Sequence, residues 1–128
     1  MTRHVSGVFR RTDRVKVDPG RTVRLVGAER GRECNANLVE IGMSDLLLSC
    51  AQAPRLGSRV TVGITLPGRY LEFELLGMVS WQLDGQFGVS FDYLSARQTY
   101  ALVLAIDLMR SAADAANSAR KLTGVERG

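Results

Sequence analysis

Histidine is almost missing from this chain: His4 is its single copy, which excludes histidine-based catalytic triads and multi-histidine metal sites. Cysteine is scarce too. Cys34 and Cys50 have neither metal-ligand spacing nor histidine companions, so both are expected as reduced thiols buried among strand residues. Acidic side chains are scattered, without the paired carboxylates that acid/base chemistry uses, so neither an enzyme nor a metal or other cofactor is expected. No apolar run reaches the ~20 residues of a membrane-spanning helix, and the first residues lack the apolar stretch of a signal peptide. A cytoplasmic location is the resulting expectation. The N-terminal segment offers no aromatic interleaving beyond Phe9, which argues against nucleic acid as its partner.

What the chain does have is enough apolar material for one modest core. Its 128 residues are 45% hydrophobic, the balance of a single soluble globular domain with a short appendage. Its formal charge of +4 is unevenly placed. Residues 1–32 hold nine basic and three acidic side chains, a net +6, and the remainder is slightly acidic at −2. Residues 1–14 show no apolar periodicity and are read as a mobile basic arm, a magnet for phosphate in any form.

From Val15 onward the pattern is that of short strands. Val15 to Val17 and Arg21 to Val26 flank the turn Asp18-Pro19-Gly20, and Glu33 to Val39 follows a polar Arg30-Gly31-Arg32 turn. In that third strand Cys34, Ala36 and Leu38 share one face, while Asn35, Asn37 and Val39 share the other. Leu46, Leu47 and Leu48 run consecutively, as in a strand covered on both faces. Val60, Val62, Ile64 and Leu66 alternate with polar residues, as do Leu71, Phe73 and Leu75, and Phe87, Val89 and Phe91 supply a last inward set. Pro67-Gly68-Arg69 and Asp84-Gly85 are hairpin signals. Trp81 shares the parity of Val79 and is assigned to the barrel interior. Six or seven short strands with no helix between them call for antiparallel pairing, and closure removes exposed edges. The prediction is an all-β, small antiparallel barrel over residues 15–94.

At Leu94 the chain changes character. Ser95 is a helix N-cap, and residues 95–122 form a long helix ending before Gly124. Leu102, Val103, Ala105, Ile106 and Met109 are apolar enough to lie across the barrel. Leu102, Ala105, Met109, Ala112, Ala116 and Ala119 also follow three-four spacing, the seam of a homo-oligomer through this helix.

The candidate site comes from two short stretches. Arg10 and Arg14, with Arg11 between them, place planar, permanently charged guanidiniums four residues apart on a polar segment, a fork for an anion. Asn37, followed by a turn closed at Gly42, adds an amide donor and acceptor for a base edge. Together they suggest a nucleotide site. The order Arg-x-x-x-Arg, then Asn-x-x-x-x-Gly, then short strands resembles the PilZ domain, a bacterial receptor family for cyclic di-GMP. The resemblance continues through Gly77 to Trp81, Phe87 to Phe91 and Leu94-Ser95, covering roughly residues 9–108. The family's second motif is Asp/Asn-x-Ser-x-x-Gly, and Val39 stands here where the serine belongs.

The resemblance implies a PilZ-like barrel in which Arg10, Arg11 and Arg14 clamp the guanines and phosphates of cyclic di-GMP. Asn37 and the Gly42 turn then read a base edge, with Asn35 as a stand-in for the missing hydroxyl at Val39. Ligand binding orders the arm and signals to a protein partner. The alternative is an adaptor that has lost the ligand and acts through protein contacts in motility or pilus-related assemblies.

Overall fold

The computed structural model describes residues 14–17, 20–27, 33–66, 68 and 72–127, with backbone alone from 113 onward. Arg10, Arg11 and the rest of residues 1–13 lie outside the described residues, and Arg14 is the first of those described. Among the described residues seven strands precede one helix: β1 (Val15–Lys16), β2 (Thr22–Gly27), β3 (Glu33–Ile41), β4 (Asp45–Ser49), β5 (Arg59–Thr65), β6 (Glu72–Leu83), β7 (Gln86–Phe91) and α1 (Ala96–Arg127). All strand pairs are antiparallel. The order β3-β2-β5-β6-β7-β4 closes on itself through β3–β4, giving a six-stranded barrel, and β1 is added beside the end of β3.

Period-two alternation carries the barrel. Leu25, Leu38, Ile41, Leu46, Leu48, Val62, Leu75, Phe87 and Val89 all project inward and are buried. Because packing inside so small a barrel leaves little room to relax, truncating Phe87 to alanine should cost about 3–5 kcal/mol. The Asp84-Gly85 hairpin has φ of 52° and 80° at its two central residues, the left-handed pair that a tight turn between twisted strands requires.

Two bulges shift the alternation. On β3 the register moves between Leu38 and Glu40, so Val39 and Glu40 together oppose Leu47 and Val39 is the extra residue. On β6 it moves between Val79 and Trp81. That second bulge corrects the expectation for Trp81. Ser80 is the inserted residue, so the parity that would have turned the indole inward is reversed, and Trp81 lies on the outer face, 40% exposed. Gly88 is its cross-strand partner, and the indole lies where a side chain at position 88 would be.

The helix starts with a reciprocal cap: Gln98 N donates to Ser95 Oγ at 3.1 Å and Ser95 N donates to Gln98 Oε1 at 2.9 Å. Gln98 Nε2 also donates to the Glu74 carbonyl, tying the first turn to β6. Leu102, Ala105, Ile106 and Met109 are buried against the barrel end. Val103, expected among them, is exposed because the 3.6-residue turn carries it outside the buried stripe. The helix continues five residues past Leu122 to Arg127, running through Gly124 without the left-handed turn of a C-terminal cap. The leucine run on β4 is covered on one face only, since Leu47 is half-buried on the outside. Both cysteines are free thiols: Cys34 is exposed because the first residues of β3 extend past the packed part of the barrel, and Cys50, just after β4, is half-buried. Loss of hydration, followed by the effect of the Cys50 thiol, pushes the Cys34 thiol above its ordinary range.

Candidate functional site

β3 runs through the whole candidate site. Alternation buries Ala36 and Leu38, so Asn35 and Asn37 face outward, and the bulge keeps Val39 and Glu40 on that side before Ile41 turns in. Gly42 then begins the turn into β4, its N–H donating to the Asp45 carbonyl at 3.0 Å. On the other edge of β3, β1 pairs Val15 with Ile41 and Lys16 with Glu40, and Val17 N–H donates to the Val39 carbonyl. This short strand places Arg14 beside the turn.

Arg14 is therefore joined to the second motif directly. Its side chain crosses Gly42 so closely that a Cβ built there would stand 3.3 Å from Arg14 Cγ. Position 42 accordingly favours the residue without one. The guanidinium is not free: Nη1 donates to Glu40 Oε1 at 2.9 Å, and Nη2 to both carboxylate oxygens of Asp45 at 2.6 Å. All three side chains are largely shielded, with Asp45 at 15% exposure the most so. Composition alone did not single out Glu40 and Asp45. The signal was their place: one acidic residue lies inside the Asn37 to Gly42 motif and another three residues past its glycine.

Asn37 pairs with Thr22 on one side and Ser49 on the other. With Val17, Gly20, Leu38 and Val39 it lines a hollow of about 290 Å³. Asn35 belongs elsewhere. It is opposite Arg24, and at ~3.3 Å per residue it lies about 13 Å along the strand from Val39. An amide there does not occupy the place of a hydroxyl at 39. Trp81 is closer to the site than its position in the chain suggests. Glu40, Leu47, Gly88 and Trp81 follow one another across β3, β4, β7 and β6 on the outer face, a span of no more than about 14 Å at ~4.8 Å per strand.

A second arginine cluster lies on the same outer surface. Arg24 donates to Glu72 (3.2 and 2.7 Å) and Glu74 (2.7 Å) across β5, with Glu33 at 4.0 Å. The hydrogen bonds it donates to Glu72 and Glu74 push the Arg24 guanidinium further up, and Arg24 holds the Glu72 carboxyl below its ordinary range. Arg59 pairs with Asp92. Among the described residues no group of three or more His, Cys, Asp or Glu is arranged to hold a metal ion, and no helix is long and apolar enough to cross a membrane.

No family model matches the sequence, and none of the curated proteins is significantly similar to it. Solved structures are. The PilZ domain of CeSA from a cellulose-synthesizing bacterium superposes with a TM-score of 0.58 at 14% identity, over 74% of this chain and 96% of that one. The Bacillus subtilis inhibitor of motility (MotI/DgrA) superposes with a TM-score of 0.60 at 13% identity, over 73% of this chain; the match spans 47% of its length. At this level of identity the agreement concerns the path of the chain, and it matches the closed barrel, added strand and single C-terminal helix described above: the fold is PilZ-like.

Proposed function

We propose that this chain is a binding domain for cyclic di-GMP that passes ligand occupancy to a protein partner. The observation that carries the reading is the close approach of Arg14 to Gly42, which joins the two halves of the motif. Arg14 is the described member of the arginine fork, and Arg10 and Arg11 supply further charge-assisted hydrogen bonds to phosphate and guanine from the arm. Asn37 offers an amide to a base edge, and the exposed Trp81 indole offers a stacking face on the same surface. Binding draws residues 1–13 onto the outer face, and the ordered arm is the surface a partner reads.

Calorimetric titration with cyclic di-GMP, with the linear dinucleotide as control, tests this. Heat from the cyclic form alone, lost in Arg14→Ala, is the expected result. No heat from either supports the second reading, an adaptor acting through protein contacts in motility or pilus-related assemblies. Two features favour that alternative: methyl groups at Val39 in place of a hydroxyl, and the engagement of Arg14 by two carboxylates. One structural neighbour is an inhibitor of motility.

A further inference from the structure

The bonds made by Arg14 are arranged so as to oppose an anion. A guanidinium grips phosphate through one of two edges, each presenting parallel N–H groups: Nε with Nη2, or Nη1 with Nη2. Both edges include Nη2, and that nitrogen is held at 2.6 Å by both oxygens of Asp45. The second edge is closed again by Glu40 on Nη1. One positive and two negative groups therefore occupy the spot that a phosphate must enter, and their partial burial screens them less than open water would. The Arg24 cluster likewise sets one arginine against two carboxylates, here both glutamates, but those carboxylates are more exposed and the cluster lies across the middle of the sheet.

We propose that Asp45, assisted by Glu40, is an affinity-setting latch: it holds Arg14 while the site is empty, and an incoming phosphate must displace it. This rests on the receptor reading above. Asp45 weighs more than Glu40 because it alone takes the nitrogen common to both edges. The latch also gives the empty protein a definite state, in which the residue before β1 is tied to the β3–β4 turn. Ligand exchange at Arg14 then unties it.

The test is titration of cyclic di-GMP into the full chain and into Asp45→Asn, Glu40→Gln and the double variant. Glu72→Gln serves as control, making the same charge change at Arg24. Thermal unfolding checks that each variant is folded, and NMR of the Arg14 guanidinium follows its rotation without ligand. Asp45→Asn should bind about tenfold tighter, since the competing bond is charge-assisted. Glu40→Gln should gain about threefold, and the control should stay within about twofold. Guanidinium rotation should be slow in the wild type and faster in Asp45→Asn. Binding by the wild type with equal or weaker binding by Asp45→Asn overturns the latch and makes Asp45 a positioning residue, leaving the receptor reading intact. An equal gain in the Glu72→Gln control also overturns it, since the effect is then general charge. Absence of binding in every variant, the double one included, overturns both. Binding that appears only once Asp45 is neutralised supports both.

Discussion

Arg14 and Arg24 are each held by two carboxylates on the outside of the same barrel, yet the fold uses them differently. Arg24 sits mid-strand on β2 and reaches over Gly63 of β5 to Glu72 and Glu74 of β6, so its bonds link three neighbouring strands that backbone pairing already holds. Arg14 precedes a two-residue strand and reaches to the β3–β4 turn, so its bonds tie the residue where the arm meets β1 to the barrel. A salt bridge between paired strands is a staple; the bridge beside the arm is the one that the proposed latch exchanges for a ligand. The neighbouring sequence points the same way, because Arg10 and Arg11 precede Arg14 while Arg24 has a third acid, Glu33, nearby.

The sharpest way to break this comparison is to remove each guanidinium in turn. Arg14→Ala should weaken cyclic di-GMP binding by about a hundredfold or more, since several charge-assisted bonds go at once. Arg24→Ala should leave binding within about twofold. Similar losses in both, measured by calorimetry at one ionic strength, would mean that the ligand senses only the charge of the face.

Position 39 gives the next largest effect. A serine on the β3 bulge restores a hydroxyl beside Asn37 and the Gly42 turn, and a hydrogen bond to a charged group is worth roughly 1.5–3 kcal/mol. Val39→Ser should therefore tighten binding by about tenfold. Asn35→Ala, beside Arg24 on the same strand, should change it by less than about twofold. The opposite ranking would move the site up β3 and dissolve the distinction between the two arginines.

Much of this molecule could be read from residue order, and what could not has a common cause. Alternation along β5 and β7 named the core correctly because nothing interrupts it: Val60, Val62, Ile64, Phe87 and Val89 are all buried. Ser95 marks the helix start as its N-cap, and the structure adds Gln98 as its reciprocal partner. Trp81 was assigned to the wrong side because a single bulged residue, Ser80, inverts every later position, and Ser80 has no composition that distinguishes it from a regular strand residue. The carboxylate partners of Arg14 escaped for another reason. They lie 26 and 31 residues away, and the pairing of β1 with β3 together with the β3–β4 turn brings them to Arg14. The site's backbone motifs were legible, then, and its charge balance was not.

The glycines under the two arginines distinguish the clusters at a smaller scale. A methyl at Gly42 meets Arg14 Cγ at 3.3 Å, near the root of the side chain, so the guanidinium at its far end must shift. A methyl at Gly63 meets the ends of Glu72 and Arg24 at 2.8 to 3.1 Å, which can swing aside. Gly42→Ala should thus weaken binding by about threefold, with stability changed by less than about 1 kcal/mol. Gly63→Ala should leave binding unchanged. Equal binding by both variants, in the same titration, would show that the path of Arg14 across the turn does not matter to the ligand.

The smallest expected effect concerns acid. Arg24 holds the Glu72 carboxyl below its ordinary range, chiefly through their hydrogen bond. A group whose folded value is depressed contributes stability at pH above its unfolded value, here ~4.3, and loses that contribution as pH falls through the folded one. Thermal unfolding of wild type and Glu72→Gln should therefore differ most near neutrality and converge as the pH is lowered below about 4. The difference should be modest, because Glu72 is 36% exposed and solvent screens the pair, and added salt should shrink it further. A gap that persisted at low pH would mean that Glu72 contributes by packing over Gly63 and not by its charge. The staple would then be steric, and the likeness between the two arginine clusters would be one of composition only.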